Sequence, residues 1–404
     1  MPDGPWFESG LGRNSRRLLD SQREDGKMGE NMNPAAGTAG GLRKAIPFLP
    51  GLLGASLLLL CFSRPCPASS GSAGGSDNPR DGWTTVVTIP LPGRPTRFDY
   101  QSLDSRTGLL YLAHLGDGRL VVFDTRTRRV VGDLPGFPHV RGVIVVPSLA
   151  RVFATVSPLS RSKIGHLAVV DAGSGMRVAL LPAGVHPDGL AYEASSGRIF
   201  VSNEWGRSIS VFDARANKVL GTIPLSGEAG NTEVDPETHR VYVTVQTKNL
   251  LVEIDSFALR VTKRFVLPCR HPHGLRIDGP SHRAYVACDG DARVLAVDLG
   301  TGRILATLPS GKDPDVLTLD RSRGLLFVAS ESGVVGVYRL TGGGLAMESE
   351  EFLGVRAHSI LADPRTHLLY LPLENEGGRP VLRIQSWKGP SGDEIGRMSG
   401  SDGH

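Results

Sequence analysis

Several marks that would name a function outright are missing. Residues 83–387 contain no run of lysine or arginine, and the net charge of the 404-residue chain is only +4. That argues against a nucleic-acid partner, which needs a basic footprint. No Gly-Xaa-Ser-Xaa-Gly elbow and no phosphate-cradling loop is present, which removes elbow-type hydrolases and P-loop chemistry. The same region has no stretch of helical periodicity, so helical and α/β folds are excluded. Cysteine is scarce: four in the chain, two of them (Cys269 and Cys288) within 83–387.

What is present is a repeat. Tyr111, Phe153, Phe200, Tyr242, Tyr285, Phe327 and Tyr370 follow one another at intervals of 42, 47, 42, 43, 42 and 43 residues. A period of about 40–45 residues with β-type sequence marks a propeller blade. Each aromatic sits in a short apolar run, such as Val241-Tyr242-Val243, and is followed by a second run ending in Asp, as at Asp124, Asp213, Asp255 and Asp298. The second unit reaches Asp171 five residues late, which places a hairpin insertion around Ser157–Lys163. Runs of β-branched and aromatic residues between Gly, Pro and Asp turns read as four antiparallel strands per unit, a to d from the axis outwards. Asp124 and its equivalents, and Asp104, Asp235, Asp278, Asp320 and Asp363, read as turn residues. The last unit has only three strands, near His358–Asp363, Leu368–Leu373 and Val381–Trp387. Trp83–Pro90 supplies a fourth from the N-terminal side. The expected fold is an all-β, seven-bladed propeller closed by that swap, which removes two exposed edges.

Val241-Tyr242-Val243-Thr244, Tyr285-Val286-Ala287 and the Ile254-Asp255 and Val297-Asp298 endings resemble the YVTN-type, YncE-like β-propeller family, exported seven-bladed proteins of prokaryotes. The segments 227–235, Pro272–Leu275, Asp313–Leu317 and 378–384 extend the resemblance, which covers about residues 83–387. It implies the same fold and export. It does not imply an activity, since propellers host unrelated functions.

Residues 42–73 read as an export signal or membrane anchor: Arg43 and Lys44, an apolar core over 45–62, then small residues, with cleavage expected after Ala68 or Ala73. Residues 1–41 are an n-region extension or a misplaced start, Met28 or Met32 being better starts. Cys61 follows Leu60, a poor lipoprotein context. If uncleaved, 45–62 would anchor the chain in a membrane. Residues 74–82 are a linker and 388–404 a tail rich in Gly and Ser. The expected compartment is periplasmic or extracellular, and the expected state a monomer.

The aromatics also serve as a ruler. Fourteen residues before them stand Arg97, His139, His186, Glu228, His271, Asp313 and Arg356; twelve before stand Asp99, Arg141, Asp188, Gly230 (with Asn231 beside it), His273, Asp315 and His358. Residues two apart on strand a share a face, so the two sets should ring one mouth of the central channel. The b–c loops, carrying His114, Asn203, Glu204, Gln246, Asp289, Glu331 and Glu374, should emerge there too. Five of these fourteen positions are histidine, where eleven histidines in 404 residues would place fewer than one. Convergent polar groups in a concave mouth are the default binding-site hypothesis. In the fifth unit Cys269, His271, His273 and Cys288 could cluster, with His273 opposite Cys288. A Cys269–Cys288 disulfide, a zinc or copper site on all four, and free thiols are all open readings. The functional expectation is a binding module holding a small ligand, metal or partner segment at this mouth. The alternatives are a metal-assisted lyase or hydrolase or a redox enzyme using it, and a surface interaction scaffold. Trp205, beside Glu204, is a candidate for ligand stacking.

Overall fold

The computed structural model describes residues 82–158, 160 and 162–389. The signal or anchor, the extension before it and most of the linker and tail lie outside the described residues. Among the described residues no helix is long and apolar enough to cross a membrane.

Seven four-stranded antiparallel sheets form the ring. Strand a of the successive blades is Gln101–Asp104, Val143–Val146, Pro187–Glu193, Ala229–Asp235, Pro272–Asp278, Pro314–Asp320 and Leu361–Ala362. Strand b is Leu109–His114, Arg151–Val156, Arg198–Asn203, Arg240–Val245, Arg283–Cys288, Leu325–Ser330 and Leu369–Glu376. The insertion of the second unit lies between its strands b and c (Ile164–Asp171). Blade 7 takes its outermost strand from Trp83–Pro90, which pairs antiparallel with Arg379–Trp387, Trp83 opposite Trp387. Trp83 is buried against Trp387 and Phe327, ring centroids 5.2 and 5.9 Å apart.

The seven ruler aromatics are all buried. Each joins an apolar cluster with the following blade: Tyr242 packs with Leu275, Val286 and Val297 of blade 5, and Tyr370 with Leu110, Val121 and Phe123 of blade 1. Flat blades bury little alone, so these interfaces are the core. The strand-ending aspartates do turn chemistry: Asp124, Asp213, Asp255 and Asp298 each accept backbone N–H groups two or three residues on.

The position three residues before each ruler aromatic closes the a–b turn. Gly108, Ala150, Gly197, His239, His282, Gly324 and His367 stand there, all with positive φ. His239, His282 and His367 also reach back to Glu193, Asp235 and Asp320 of the preceding blade, at 3.1, 3.1 and 2.8 Å. These histidines fasten blades together on the face away from the mouth.

Candidate functional site

Local backbone places the inner ring. In blades 3 to 6 the a–b ladder slips at Pro187/Leu190, Ala229/Thr232, Pro272/Leu275 and Pro314/Val316. These bulges hold Asp188, Asn231, His273 and Asp315. A β-bulge bends the strand and re-aims a side chain, here toward the axis. Gly274 permits one of them, since a Cβ there would lie 2.1 Å from Asp315 O. Hydroxyls two residues after the ruler aromatics secure the bulges across blade boundaries: Thr155 Oγ1 donates to Asp188 O (2.8 Å), Ser202 Oγ to Gly230 O (2.5 Å) and Thr244 Oγ1 to His273 O (2.7 Å). The Thr of the Val-Tyr-Val-Thr run therefore supports the neighbouring blade's ring residue.

At the mouth these elements enclose a cavity of about 230 Å³. Eight of the fourteen ring residues line it: Arg97, Asp99, Arg141, Asp188, His271, His273, Asp313 and Asp315, joined by Glu204, Gln246, Asp289 and Glu331 of the b–c loops. The other six do not reach its wall. His186 stacks on Trp205 (centroids 3.6 Å), covering a face of the indole offered for ligand stacking, and its Nδ1 lies 2.7 Å from Glu204. Asn231 is buried beneath, accepting a hydrogen bond from the Tyr100 hydroxyl. His358 is buried with its ring nitrogens 3.0 Å from Arg356 O and Phe98 O. Arg356 faces Glu374 at 3.7 Å. His139 and Glu228 stand off the cavity.

The histidine excess has a backbone component. His139, His186 and His271 have φ of 46°, 57° and 55°, as do Asp313 (54°) and Arg356 (54°) beside them in the outer ring. Histidine, like Asn and Asp, is enriched in left-handed backbone. Only His271 and His273 of the five ring histidines line the cavity.

Ion pairs lace the wall. Asp315 lies 3.3 Å from His273 Nε2 and 3.6 Å from Arg97, which also bonds Glu331. Asp99 lies 3.6 Å from Arg141, and Asp188 3.9 Å from His273. Burial by itself would lower His273, but its bond to Asp315 and the charges of Asp188 and Glu204 carry it up to about 10. Burial raises Asp315 less than His273, His358 and Arg97 depress it, and its carboxyl is held well below the usual range. Asp99 moves the other way: burial, with Asp188 and Asp315 nearby, outweighs Arg97 and Arg141 and pushes it up to about 6. The bond to Asp289 (2.6 Å) raises His271.

Cys269 and Cys288 are joined as a disulfide, with Cα atoms 6.2 Å apart. His271 turns to Asp289 and His273 to Asp315, so the four residues do not converge on one point. Pro272, not His273, pairs with Cys288, because the blade 5 bulge shifts the register. The bridge ties the chain entering blade 5 to the end of its strand b, directly behind His271 and Asp289. Replacing both cysteines by serine should lower stability by about 2–4 kcal/mol, typical for a bridge closing a loop of this size; chemical denaturation with and without reductant measures it.

The sequence matches no family model and no curated protein. Solved structures do match. A chain of a mitotic checkpoint complex crystal structure is similar with TM-score 0.64 at 12% identity, over 82% of this chain and 98% of that one. The RRP9 WD40 repeats match with TM-score 0.63 at 13% identity, over 74% of this chain and 97% of that one. U3-55K matches with TM-score 0.61 at 13% identity, over 74% and 98%. At such identities the likeness concerns the fold, and it agrees with the ring described above: a seven-bladed β-propeller of four-stranded blades.

Proposed function

We propose that this chain is an exported, YncE-like propeller acting as a binding module, and that its channel mouth takes a cationic group carried by a small ligand or a partner segment. One observation carries the reading. The mouth cavity is lined by seven carboxylates against two guanidiniums and two imidazoles. A concave wall of one excess charge focuses its field and draws the opposite charge. The solved structure titled as a complex supports a partner segment as the carrier. Export rests on the apolar stretch 45–62, and the Cys269–Cys288 bridge suits an oxidising compartment.

Arginine methyl ester and a Gly-Arg-Gly amide are suitable probes, titrated calorimetrically into the purified chain. Saturable binding should weaken about tenfold or more in Asp289→Asn/Asp313→Asn, which removes two charges from the half-buried rim. Binding of citrate in preference to either cationic probe would overturn the reading. A second reading, an enzyme using the same mouth, is favoured by two carboxyls of one cavity moving in opposite directions, Asp99 pushed up to about 6 by burial and Asp315 held below the usual range by His273. Such pairs divide acid and base roles.

A further inference from the structure

The channel is not one space. The Tyr100 hydroxyl of blade 1 bonds Asn231 Oδ1 of blade 4, crossing the ring beneath the mouth. Below that bridge is a second chamber of about 370 Å³, within the range of small-molecule sites. Its wall includes Ser105 and the exposed Pro364, from the a–b turns, so it reaches the face opposite the mouth.

The ruler that finds the mouth also finds this chamber. Nine residues before the aromatics stand Ser102, Ile144, Glu233, Arg276, Thr318 and Leu361, and all six line it. Glu233 and Arg276, in neighbouring blades, are the only charged residues of the wall. One hydrogen bond joins them, Arg276 Nη1 donating to Glu233 Oε1 at 3.1 Å. Arg276 Nε is sealed from solvent, but the two side chains keep 41% and 26% of their surface exposed. Among the described residues, Arg276 Nη2 and Glu233 Oε2 have no partner, and neither is among the sealed atoms, so each is open to a ligand. Burial outweighs Arg276 at Glu233 and pushes its carboxyl up, so one guanidinium does not fully compensate it. Ser102 and Thr318 accept the backbone N–H groups of Val145 and Ala362, at 3.0 Å each, and each hydroxyl still has a proton to give.

This pattern selects on charge. A lone cation at Glu233 would sit against Arg276, and a lone anion at Arg276 against Glu233. A small zwitterion satisfies both: its carboxylate takes Arg276 Nη2 and its ammonium takes Glu233 Oε2. The four groups then alternate in sign around a ring, each between two opposite neighbours. Charge-assisted bonds of this kind are the strong ones.

We propose that this lower chamber binds a free α-amino acid, its carboxylate on Arg276 and its ammonium on Glu233. The site is independent of the mouth and stands if the cationic reading of the mouth fails. The probe is radiolabelled L-alanine in equilibrium dialysis against the full chain. The competitors are unlabelled L-alanine, L-alaninamide (no carboxylate) and N-acetyl-L-alanine (no ammonium). Competition reads only the alanine site, so a cation held at the mouth is not counted. Alanine should bind saturably, and each analogue should displace it at least about tenfold less well, as loss of one charge-assisted hydrogen bond implies. Glu233→Gln/Arg276→Met, which removes both charges together, should weaken alanine binding about tenfold or more while the chain still melts cooperatively. The competition series uses the wild type alone and decides the matter whether or not that variant folds. Asp289→Asn/Asp313→Asn at the mouth should leave alanine binding unchanged. Four results would each overturn the proposal: no saturable alanine binding to the wild type, either analogue competing as well as alanine, unchanged binding in a folded Glu233→Gln/Arg276→Met chain, or binding lost with the mouth aspartates.

Discussion

Asp315→Asn should be among the most damaging single substitutions in the mouth. It keeps the shape of the side chain and removes the charge that faces both His273 and Arg97. Breaking one partner out of a buried ionic network costs about 3–5 kcal/mol, because the remaining charges stay buried without compensation. For a chain of this size that is a fall in melting temperature of about 10 °C. The wild type should also carry a pH signature. His273 holds its proton up to about 10 in the ring, against 6.5 for an ordinary imidazole. The folded state therefore binds the extra proton between those values. Its contribution is complete below 6.5 and is lost as pH rises through 10. Asp315→Asn removes the principal partner, so the decline in melting temperature between pH 6.5 and 10 should flatten. A scan of melting temperature against pH for both proteins decides it; an equally steep decline in the variant would show that His273 is held by other groups.

Trp83→Ala should be comparably severe for a different reason. Burying an indole between Trp387 and Phe327 is what fixes the closing strand. Truncating a buried tryptophan costs about 3–5 kcal/mol. Removing residues 82–90 altogether should go further and expose Arg379–Trp387 as an unpaired edge, an invitation to association between chains. Size-exclusion chromatography reads this directly. A monodisperse, cooperatively folding deletion variant would refute the role given to closure.

The ring itself was legible because a propeller repeats its core. Tyr242 and Tyr285 occupy the same place in successive blades, so periodic burial leaves a periodic letter. The mouth was legible in position but not in contact. Counting from the aromatics found Asp99, Asp188, His273 and Asp315 together. It could not show that His358 turns to backbone carbonyls, or that His186 spends its ring on Trp205, because a register count says nothing about rotamers. Histidine number misled in part: at His139, His186 and His271 the letter answers a left-handed backbone as well as any chemistry. The bulge that puts Pro272 opposite Cys288 moved one pairing by a residue, the kind of slip that a strand periodicity of two cannot foresee. Thr155, Ser202 and Thr244 were missed although they stand at one fixed offset from the aromatics. Tyr100 stands eleven residues before its aromatic, where the other blades have Gly142, Gly189, Asn231, Gly274, Val316 and Ser359, so no repeated letter marks it.

Closure also orders events in time. The contact of Thr85 with Gln385 spans 300 positions of chain. A strand made first must wait for the one made last, whereas each inner hairpin finds its partner within a few tens of residues. Bringing such distant ends together has the greatest loop-closure entropy of any pairing in the ring. Blades 1 to 6 can assemble neighbour upon neighbour, and the seventh completes only when Arg379–Trp387 has emerged. Until then the chain is an open arc with two raw edges, and the interval before the ends meet is when it is most exposed to proteases and to other copies of itself.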